Sequence, residues 1–277
     1  MTNVPGAPSS TSAATVLVAR DLGVRRSDRW ALRGLSFELR AGTVTAVIGP
    51  NGSGKSTLLH AIAGLLPLAS GQLERRGLPG SGAEVAYVLQ GAEVREHLPI
   101  SVREVVTMGR YGRRGPFRPL RAEDHAVVDA ALERLEVADL AGRQVRELSG
   151  GQRQRVLVAQ GLAQDAPVLL LDEPVTGLDV VSQRIILEVI GQERDAGRLV
   201  VTTTHDLGDA AHADHVLLLA GRLVASGPPE DVLVSTHLAA AYGQRLIALG
   251  DNVLMLDDAP HHADEGEAVH PHPGHHH

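Results

Sequence analysis

The feature that most constrains the fold is a glycine-rich loop, residues 49–57, which ends in a lysine and two hydroxyl residues. It reads Gly-Pro-Asn-Gly-Ser-Gly-Lys-Ser-Thr and satisfies the phosphate-binding pattern G-x-x-x-x-G-K-[ST] at every required position. An apolar, strand-like run precedes the loop, and a helix-like stretch, 56–66, follows it. Because the pattern is specific only between a strand and a helix, this context predicts a nucleoside triphosphate site in an α/β domain.

Each residue type in this loop has a chemical reason to be there. Glycines let the backbone wrap closely around phosphate oxygens, while the lysine adds a charge and the following helix points its positive end at the anion. A serine hydroxyl suits Mg²⁺, so Ser56 is also predicted to be a metal ligand. The alternative, a glycine-rich turn with a chance lysine, accounts for neither the complete pattern nor its flanks. The predicted nucleotide-binding residues are Gly49, Pro50, Asn51, Gly52, Ser53, Gly54, Lys55, Ser56 and Thr57.

Composition limits the fold classes and the kinds of partner that remain possible for the chain. With 277 residues, 43% of them hydrophobic and only 2% aromatic, the chain can form an aliphatic core of the kind found in parallel sheets. A net charge of −7 argues against nucleic acid as a partner, because phosphate backbones require a basic face. Cysteine is absent, which excludes disulfides and thiolate metal sites. No apolar run is long enough to span a bilayer, so any membrane association is predicted to be peripheral.

Three segments are expected along the chain. Residues 1–15 are rich in Ser, Thr, Ala and Pro and predict a disordered tail, residues 16–250 predict the folded domain, and residues 251–277 predict a flexible tail rich in histidine. Short apolar runs at 16–19, 22–25 and 35–39 predict a small antiparallel sheet packed on the nucleotide core. Apolar spacings of three and four between 100 and 140 predict helices, which we interpret as part of a helical subdomain, about 92–160.

Polar residues that can do chemistry follow three predicted core strands. The run 168–171 is wholly aliphatic and ends at Asp172 and Glu173, the run 199–203 ends close to His205, and the run 84–89 ends at Gln90. Parallel α/β sheets bind their ligands at the carboxyl ends of the strands. Taken singly, each of these residues could be an ordinary strand-end or surface residue. Together with the phosphate loop, they indicate a catalytic edge of the sheet.

These motifs resemble the ATP-binding cassette (ABC) family over residues 16–246. Leu148-Ser149-Gly150-Gly151-Gln152 matches the family signature, 169–173 the Walker B strand with its adjoining acid, and 177–179 the D-loop. Gln90 and His205 fall at the Q-loop and at the switch histidine. The resemblance implies a P-loop NTPase fold with a parallel core sheet, a small N-terminal antiparallel β subdomain and an inserted α-helical signature subdomain.

The resemblance also implies a role for each motif. Asp172 would hold Mg²⁺ through water, since hard cations prefer oxygen ligands, and Glu173 would polarise the attacking water as general base. Gln90 and His205 would contact the γ-phosphate or its water, and Gln90 would also serve the metal. The signature residues, 149–152, would contact the nucleotide held by a second copy, so that two chains sandwich two ATP molecules head to tail.

Two positions depart from the family pattern. Members usually carry an aromatic residue, often Tyr, that stacks on adenine about four residues after the leucine matched by Leu22, and this chain has Arg26 there. A guanidinium plane can stack on a base, so Arg26 is predicted to contact the nucleotide. Trp30 is the alternative stacker, although its position suits packing better. The second departure is Ala159-Gln160-Gly161-Leu162, where family helices often read Ala-Arg-Ala-Leu.

The segment that follows Gln90 indicates what is transported. Residues 96–112 resemble the cassettes of bacterial importers for zinc, manganese and related metal ions, and also those of siderophore importers. The resemblance predicts an ATPase subunit at the cytoplasmic face of the membrane that energises uptake of a divalent metal, zinc ahead of manganese. Its partners would be a polytopic permease and, indirectly, a substrate-binding protein. An iron–siderophore importer and a soluble ATPase, such as an iron–sulfur assembly factor, remain the alternatives.

Two further groups of side chains invite interpretation. Arginines near this segment are interpreted as a solvated basic loop: Arg110, Arg113, Arg114 and Arg118. Half of the fourteen histidines lie after Ala259, and imidazoles on a flexible chain bind Zn²⁺ readily. The sequence does not decide whether this tail senses or buffers metal, is a solvated end, or contains part of a purification tag.

Overall fold

The computed structural model describes residues 14–78, 84–89, 99–115 and 118–243, together with the backbone of residues 246–248 and 254–256. An all-β start is followed by alternating strands and helices, with short 3₁₀ turns at Ala138–Leu140 and Val145–Glu147. In chain order the elements are β1 (Thr15–Arg26), β2 (Arg29–Arg40), β3 (Thr43–Ile48), α1 (Lys55–Ala63), β4 (Ser70–Arg75), β5 (Val85–Val88), α2 (Val102–Arg114), α3 (Ala122–Arg134), α4 (Gly150–Ala163), β6 (Val168–Leu171), α5 (Val180–Asp195), β7 (Leu199–Thr203), α6 (Leu207–Ala211), β8 (His215–Leu219), β9 (Leu223–Gly227), α7 (Pro229–Val232), α8 (Ser235–Tyr242), β10 (Leu246–Ala248) and β11 (Leu254–Leu256).

A six-stranded sheet in the order β5-β6-β7-β3-β8-β9 forms the centre of the fold. Strands β5 to β8 in this order pair in parallel, and β9 runs antiparallel to β8. Strand β6 is aliphatic and buried throughout, as expected for a parallel strand covered on both faces. The register pairs Val88 with Leu171 and Leu171 with Thr202, so the residues that follow β5, β6 and β7 reach the same edge. The predicted parallel core is confirmed.

A separate antiparallel sheet in the order β2-β1-β4 packs against this core, as the sequence predicted. The apolar runs suggested two separate strands at 16–19 and 22–25, whereas β1 is continuous. Its register shifts between Ala19 and Leu22, where Asp21 has a φ of 49°. A local irregularity of this kind bends a strand without ending it, so the two runs belong to one strand.

Helices α2, α3 and α4 share one apolar cluster with α5 and the strands β5 and β6. Helix α2 begins at a capping box, in which the Ser101 hydroxyl accepts a hydrogen bond from Glu104 N and the Glu104 carboxylate accepts one from Ser101 N. In α4, a Cβ on Gly161 would lie 2.5 Å from Val88 of β5. The departure from alanine at this position therefore has a steric reason, because α4 lies too close to the sheet for a larger side chain.

Three of the four arginines interpreted as a solvated basic loop, Arg110, Arg113 and Arg114, are instead partners of acidic groups. Asp124, at the start of α3, is fully buried. Its carboxylate accepts hydrogen bonds from Arg121 N at 2.9 Å, Arg110 Nε at 3.0 Å and Arg114 Nε at 2.8 Å. The backbone hydrogen bond, followed by the two guanidiniums, outweighs the effect of burial and holds the pKa of Asp124 at about 2.

A second ionic group, which we call the ion chain, joins the helices α2 and α3 to the sheet. It runs through five alternating side chains, Arg113, Asp165, Arg198, Glu193 and Arg134, with N–O distances of 2.8, 2.7, 2.7 and 2.7 Å. Glu193 is buried on α5, and one carboxylate oxygen is bonded to each neighbouring arginine. The prediction of a solvated loop was wrong for Arg110 and Arg114, which are buried or partly buried beside Asp124, whereas Arg113 is exposed but paired with Asp165.

No helix in the described part of the chain combines the length and apolarity needed to cross a bilayer. Near the end of the described residues, the backbones of β10 and β11 pair as an antiparallel hairpin, with Leu246 opposite Leu256. The sequence did not predict this hairpin. The histidine-rich residues that follow it lie outside the described part of the chain.

Candidate nucleotide-binding site

The phosphate loop leaves β3 at Ile48 and enters α1 at Lys55. Gly54 occupies the position before the helix with a φ of 101°, and a Cβ there would collide with the side chain of Leu32. Only glycine combines this left-handed backbone with so close a neighbour. The Ser53 hydroxyl is buried, and no described group lies within hydrogen-bond distance of it. The loop therefore presents a polar atom that a phosphate oxygen would satisfy.

Lys55 is 7% exposed, and its ammonium donates hydrogen bonds to the carbonyls of Gly49 at 2.9 Å and Pro50 at 3.4 Å. Burial lowers the pKa of Lys55, and the negative charges of Glu173 and Asp172 partly offset this effect. The composition holds a further indication of the importance of Lys55, which the sequence prediction did not use. Of the 26 lysine and arginine residues, 25 are arginine, so Lys55 is the single lysine of the chain. An amine at this one position fits a point-charge contact with phosphate.

Asp172 follows β6 and is almost fully buried. The Thr203 hydroxyl donates to Asp172 Oδ1 at 2.6 Å, and the Tyr87 hydroxyl donates to Asp172 Oδ2 at 3.2 Å. Burial, and then the charge of Asp172, raise the pKa of Tyr87 well above its ordinary value. The sequence did not single out Tyr87 or Thr203. Their positions in the sequence could have indicated them, since each lies at the carboxyl end of a strand that neighbours β6.

Glu173 adopts a φ of 48°, an uncommon conformation for a residue other than glycine. Its backbone N–H donates to the Thr203 hydroxyl at 2.8 Å, which connects the two successive acids through one side chain. Glu173 Oε2 lies 3.9 Å from Nδ1 of His205, and the His205 side chain is about two-fifths exposed, at 43%. The structure thus brings together Lys55, Asp172, Glu173 and His205, as expected from the strand ends.

Gln90, predicted to follow the same edge, lies outside the described residues, so its role stays a prediction. Strand β5 ends at Val88, directly beside the end of β6. Beyond it, Leu89 is exposed. The described residues therefore follow the chain to the carboxyl edge of the sheet and stop one residue before Gln90.

The signature turn lies at the start of α4, where Ser149 and Gly150 are exposed and Gly151 is buried. Ser149 caps this helix, because its hydroxyl accepts a hydrogen bond from Gln152 N and Gln152 Oε1 accepts one from Ser149 N. A Cβ on Gly151 would collide with Ser182 and Asp179 of the D-loop. Hydrogen bonds from Ser182 lower the pKa of Asp179. Among the described residues, no hydrogen bond joins the signature turn to the phosphate loop, so the two motifs are structured independently.

Arg26, predicted to contact the base, lies at the end of β1. Its guanidinium Nη2 is 3.5 Å from Nδ1 of His60 on α1, and a guanidinium can only donate. Trp30, the alternative stacker, carries the guanidiniums of Arg25 and Arg33 over its ring at 5.3 and 5.7 Å. These contacts occupy Trp30 within its own sheet, whereas Arg26 lies beside the helix that follows the phosphate loop.

Known proteins resemble this chain in both sequence and fold. A family profile described as ABC transporter matches residues 32–176, just over half of the chain. The chelated iron transport system membrane protein YfeB of Yersinia pestis is 40% identical over 83% of this chain and 80% of that protein. The manganese transport system ATP-binding protein MntB of Bacillus subtilis is 39% identical over 80% of this chain and 90% of that protein.

Two further similarities extend this set. The hemin import ATP-binding protein HmuV of Streptomyces coelicolor is 43% identical over 87% of this chain and 86% of that protein. A solved transporter described as of the metal-chelate type, in an inward-facing conformation, has a TM-score of 0.72 and 30% identity, covering 82% of this chain and 88% of that one. From its motifs, its fold and these relatives, the chain belongs to the ABC transporter family, as an ATP-binding and ATP-hydrolysing subunit of an importer.

Proposed function

We propose that this chain binds Mg²⁺-ATP between two copies of itself and that hydrolysis drives uptake of a divalent transition metal through a membrane permease. The observation that carries the site is the single lysine, buried in the phosphate loop beside two carboxylates at the ends of parallel strands. The cargo is supported by the 39% identity to a manganese transport ATP-binding protein. The proposed location is the cytoplasmic face of the membrane, with a substrate-binding protein as an indirect partner.

The residues present fit a bound magnesium ion. Ser56 and Asp172 offer the hydroxyl and carboxylate oxygens that a hard cation prefers. Neutral hydroxyl groups bind both oxygens of Asp172, and no described arginine pairs with it, so the carboxylate keeps its charge for a cation. Bound there with ATP, Mg²⁺ would neutralise charge on the phosphates.

The protein groups have separable tasks in hydrolysis. Lys55 would exchange the carbonyls of Gly49 and Pro50 for phosphate oxygens, and the buried Ser53 hydroxyl would gain a partner. Glu173 would accept a hydrogen bond from the attacking water, while Thr203 fixes the backbone of that acid. His205, whose Nδ1 lies 3.9 Å from Oε2 of Glu173, would contact the γ-phosphate.

The second copy would complete the site. Ser149 and Gly150 of the signature turn are exposed at a helix N-terminus, a position that binds anions, yet the side-chain hydrogen bonds of Ser149 and Gln152 stay within the turn. We assign Ser149 to Gln152 to the nucleotide held by the partner copy. Arg26 would lie against the base, and Gln90 would contact the metal and the γ-phosphate.

Two kinds of transported cargo are candidates, a divalent metal ion and an iron chelate. We place manganese ahead of zinc, reversing the order favoured by the sequence, because one of the named relatives is a manganese system whereas the others concern chelated iron and hemin. The 43% identity to a hemin import protein supports an iron chelate as the second candidate. The relatives named above offer no support for a soluble iron–sulfur assembly factor.

The single lysine allows a direct test of the nucleotide site. An amine-reactive ester can modify only Lys55 and the N-terminal amine, so the latter is an internal control within the same molecule. We expect a non-hydrolysable ATP analogue with Mg²⁺ to protect Lys55, measured by mass spectrometry, while modification of the N-terminus stays constant. Equal modification of Lys55 with and without nucleotide would overturn the assignment.

The cargo requires a cellular measurement. Removal of the protein should lower cellular manganese and slow growth under manganese limitation, and the wild-type chain should restore both. The Glu173→Gln variant, expressed at the same level, should restore neither. A loss of iron with unchanged manganese would transfer the assignment to an iron chelate, and unchanged metal contents would refute metal import.

A further inference from the structure

The carboxylate of Asp172 is held from both sides by strands that neighbour its own. Thr203 at the end of β7 donates to one oxygen at 2.6 Å, and Tyr87 on β5 donates to the other at 3.2 Å. The sheet order β5-β6-β7 places the two donors on opposite sides of β6. Rotation of the carboxylate about its Cβ–Cγ bond would break both hydrogen bonds, so its plane is defined before any metal arrives.

Tyr87 is itself restrained by a residue from the phosphate-loop helix. The ring of His60, on α1, meets the ring of Tyr87 in a T-shaped contact, with centroids 5.4 Å apart and planes at 85°. Edge-to-face contacts of this kind fix ring orientation. The path from α1 to Asp172 therefore consists of an imidazole, a phenol and one hydrogen bond.

The chemistry of these donors suits a carboxylate that must receive a cation. A cationic side chain at the Tyr87 position would satisfy Asp172 electrostatically and would compete with a metal ion for it. A phenolic hydroxyl orients the same oxygen without adding charge. The buried Asp124, which lies between two arginines, shows the opposite arrangement in this chain.

We propose that Tyr87 is a positioning residue that sets the carboxylate of Asp172 for metal binding, with His60 holding the phenol in place. This inference rests on the proposed role of Asp172 toward Mg²⁺. Groups that orient a metal ligand contribute strongly, and their loss typically weakens metal binding or activity about 10- to 100-fold. Tyr87 never touches the nucleotide in this scheme, so its effect appears in metal affinity and not in the affinity for metal-free nucleotide.

The test is binding of Mn²⁺, used as a spectroscopic probe, to the full-length protein with a non-hydrolysable ATP analogue. We expect Tyr87→Phe, which keeps the ring and removes the hydroxyl, to raise the half-saturating Mn²⁺ concentration about tenfold in electron paramagnetic resonance titrations. Nucleotide affinity measured in excess EDTA should change less than about twofold, since phosphate contacts are retained. Tyr111→Phe makes the same chemical change at an exposed position on α2 and should leave both quantities unchanged.

A second pair of variants tests the ring contact and covers the case in which Tyr87→Phe does not fold. His60→Ala should weaken Mn²⁺ binding about twofold to threefold, whereas His60→Phe should restore it, because an aromatic ring can again meet the phenol. Equal Mn²⁺ affinity in both His60 variants, or unchanged or tighter Mn²⁺ binding by a folded Tyr87→Phe protein, overturns the proposal.

The outcome for Asp172→Asn separates this inference from the proposed function. Loss of nucleotide-dependent Mn²⁺ binding in Asp172→Asn, combined with an unaltered Tyr87→Phe protein, would refute the positioning role alone. If wild-type protein shows no nucleotide-dependent Mn²⁺ binding, the proposed metal site itself fails.

Discussion

Asp172 and Asp124 are both buried carboxylates, but the chain surrounds them with different chemistry. Asp124 lies between Arg110 and Arg114, whose guanidiniums neutralise it. Asp172 receives two hydroxyl groups and no arginine among the described residues. A buried charge is costly unless a counter-charge or hydrogen bonds compensate it.

The comparison teaches how the two kinds of site can be distinguished. At Asp124 the compensation is complete within the chain, so the carboxylate serves the fold of the helical layer. At Asp172 the hydroxyls compensate only part of the cost, which leaves a negative charge available to an incoming cation. Direct pairing with guanidiniums thus distinguishes Asp124 from Asp172, whose charge instead acts on the buried ammonium of Lys55.

The largest effect should come from removing the charge of Asp172. Asp172→Asn keeps the shape and loses the cation ligand, so ATP hydrolysis should fall roughly a thousandfold, the equivalent of several kcal/mol of metal stabilisation. The melting temperature should stay within about 2 °C, because no internal ion pair is broken. Asp195→Asn, at the exposed end of α5, is the control for both measurements. A large loss of stability in Asp172→Asn would show that this carboxylate also serves the fold.

The reverse result is expected at Asp124. Asp124→Asn leaves Arg110 and Arg114 without their buried counter-charge, so the melting temperature should fall by at least about 5 °C. Hydrolysis per folded molecule should stay within about twofold, since removing this partner leaves the phosphate-loop interactions intact. Scanning calorimetry and ATPase assays below the transition measure the two effects. An unchanged melting temperature would contradict the contrast between the two carboxylates.

A smaller loss is expected in the ion chain. Glu193→Gln weakens bonds to Arg134 and Arg198, both partly exposed, so we expect the free energy of unfolding to fall by about 1–2 kcal/mol. Glu188→Gln, on an exposed face of the same helix, should change it by less than about 0.5 kcal/mol. Urea denaturation compares the two variants. Equal effects would mean that the ion chain adds nothing beyond a surface charge.

The last prediction concerns the pH dependence of the Asp124 contribution. The pKa of Asp124 is lowered from its ordinary value of 3.8 to about 2 in the folded chain, so its stabilisation is fully present above 3.8 and is lost as the pH falls toward 2. Wild type and Asp124→Asn should therefore differ in stability at pH 5 and converge between pH 3.8 and 2. A constant difference across this range, measured by circular dichroism, would show that Asp124 does not titrate there.

The sequence predicts the catalytic edge well because its signals are local. The phosphate loop is contiguous, and a wholly aliphatic run that ends at Asp172 and Glu173 marks both a buried parallel strand and its functional end. Neighbouring strands bring these acids to Lys55 by sheet geometry alone. The positions of Lys55, Asp172, Glu173 and His205 followed from this geometry.

The partners of these residues were not predictable in the same way. Which hydroxyl reaches Asp172 depends on the register between β5, β6 and β7, and register is set by non-local pairing. The arginines of α2 looked solvated because their acids lie on other elements: Asp124, at the start of α3, is 14 and 10 residues from Arg110 and Arg114, and Asp165 is 52 residues from Arg113. The need for a glycine at position 161 likewise depends on a non-local contact, because Val88 of β5 lies close to it.

Strand β7 connects the ion chain to the carboxylates of Asp172 and Glu173. It begins directly after Arg198 and ends at Thr203, whose hydroxyl holds Asp172 and the backbone of Glu173. Five residues at about 3.3 Å each make a rod of roughly 17 Å, paired on one side with β6 and on the other with β3. Because β7 is hydrogen-bonded on both sides, the distance between its two ends is fixed, so the ion chain and the two carboxylates are attached to opposite ends of one rigid strand.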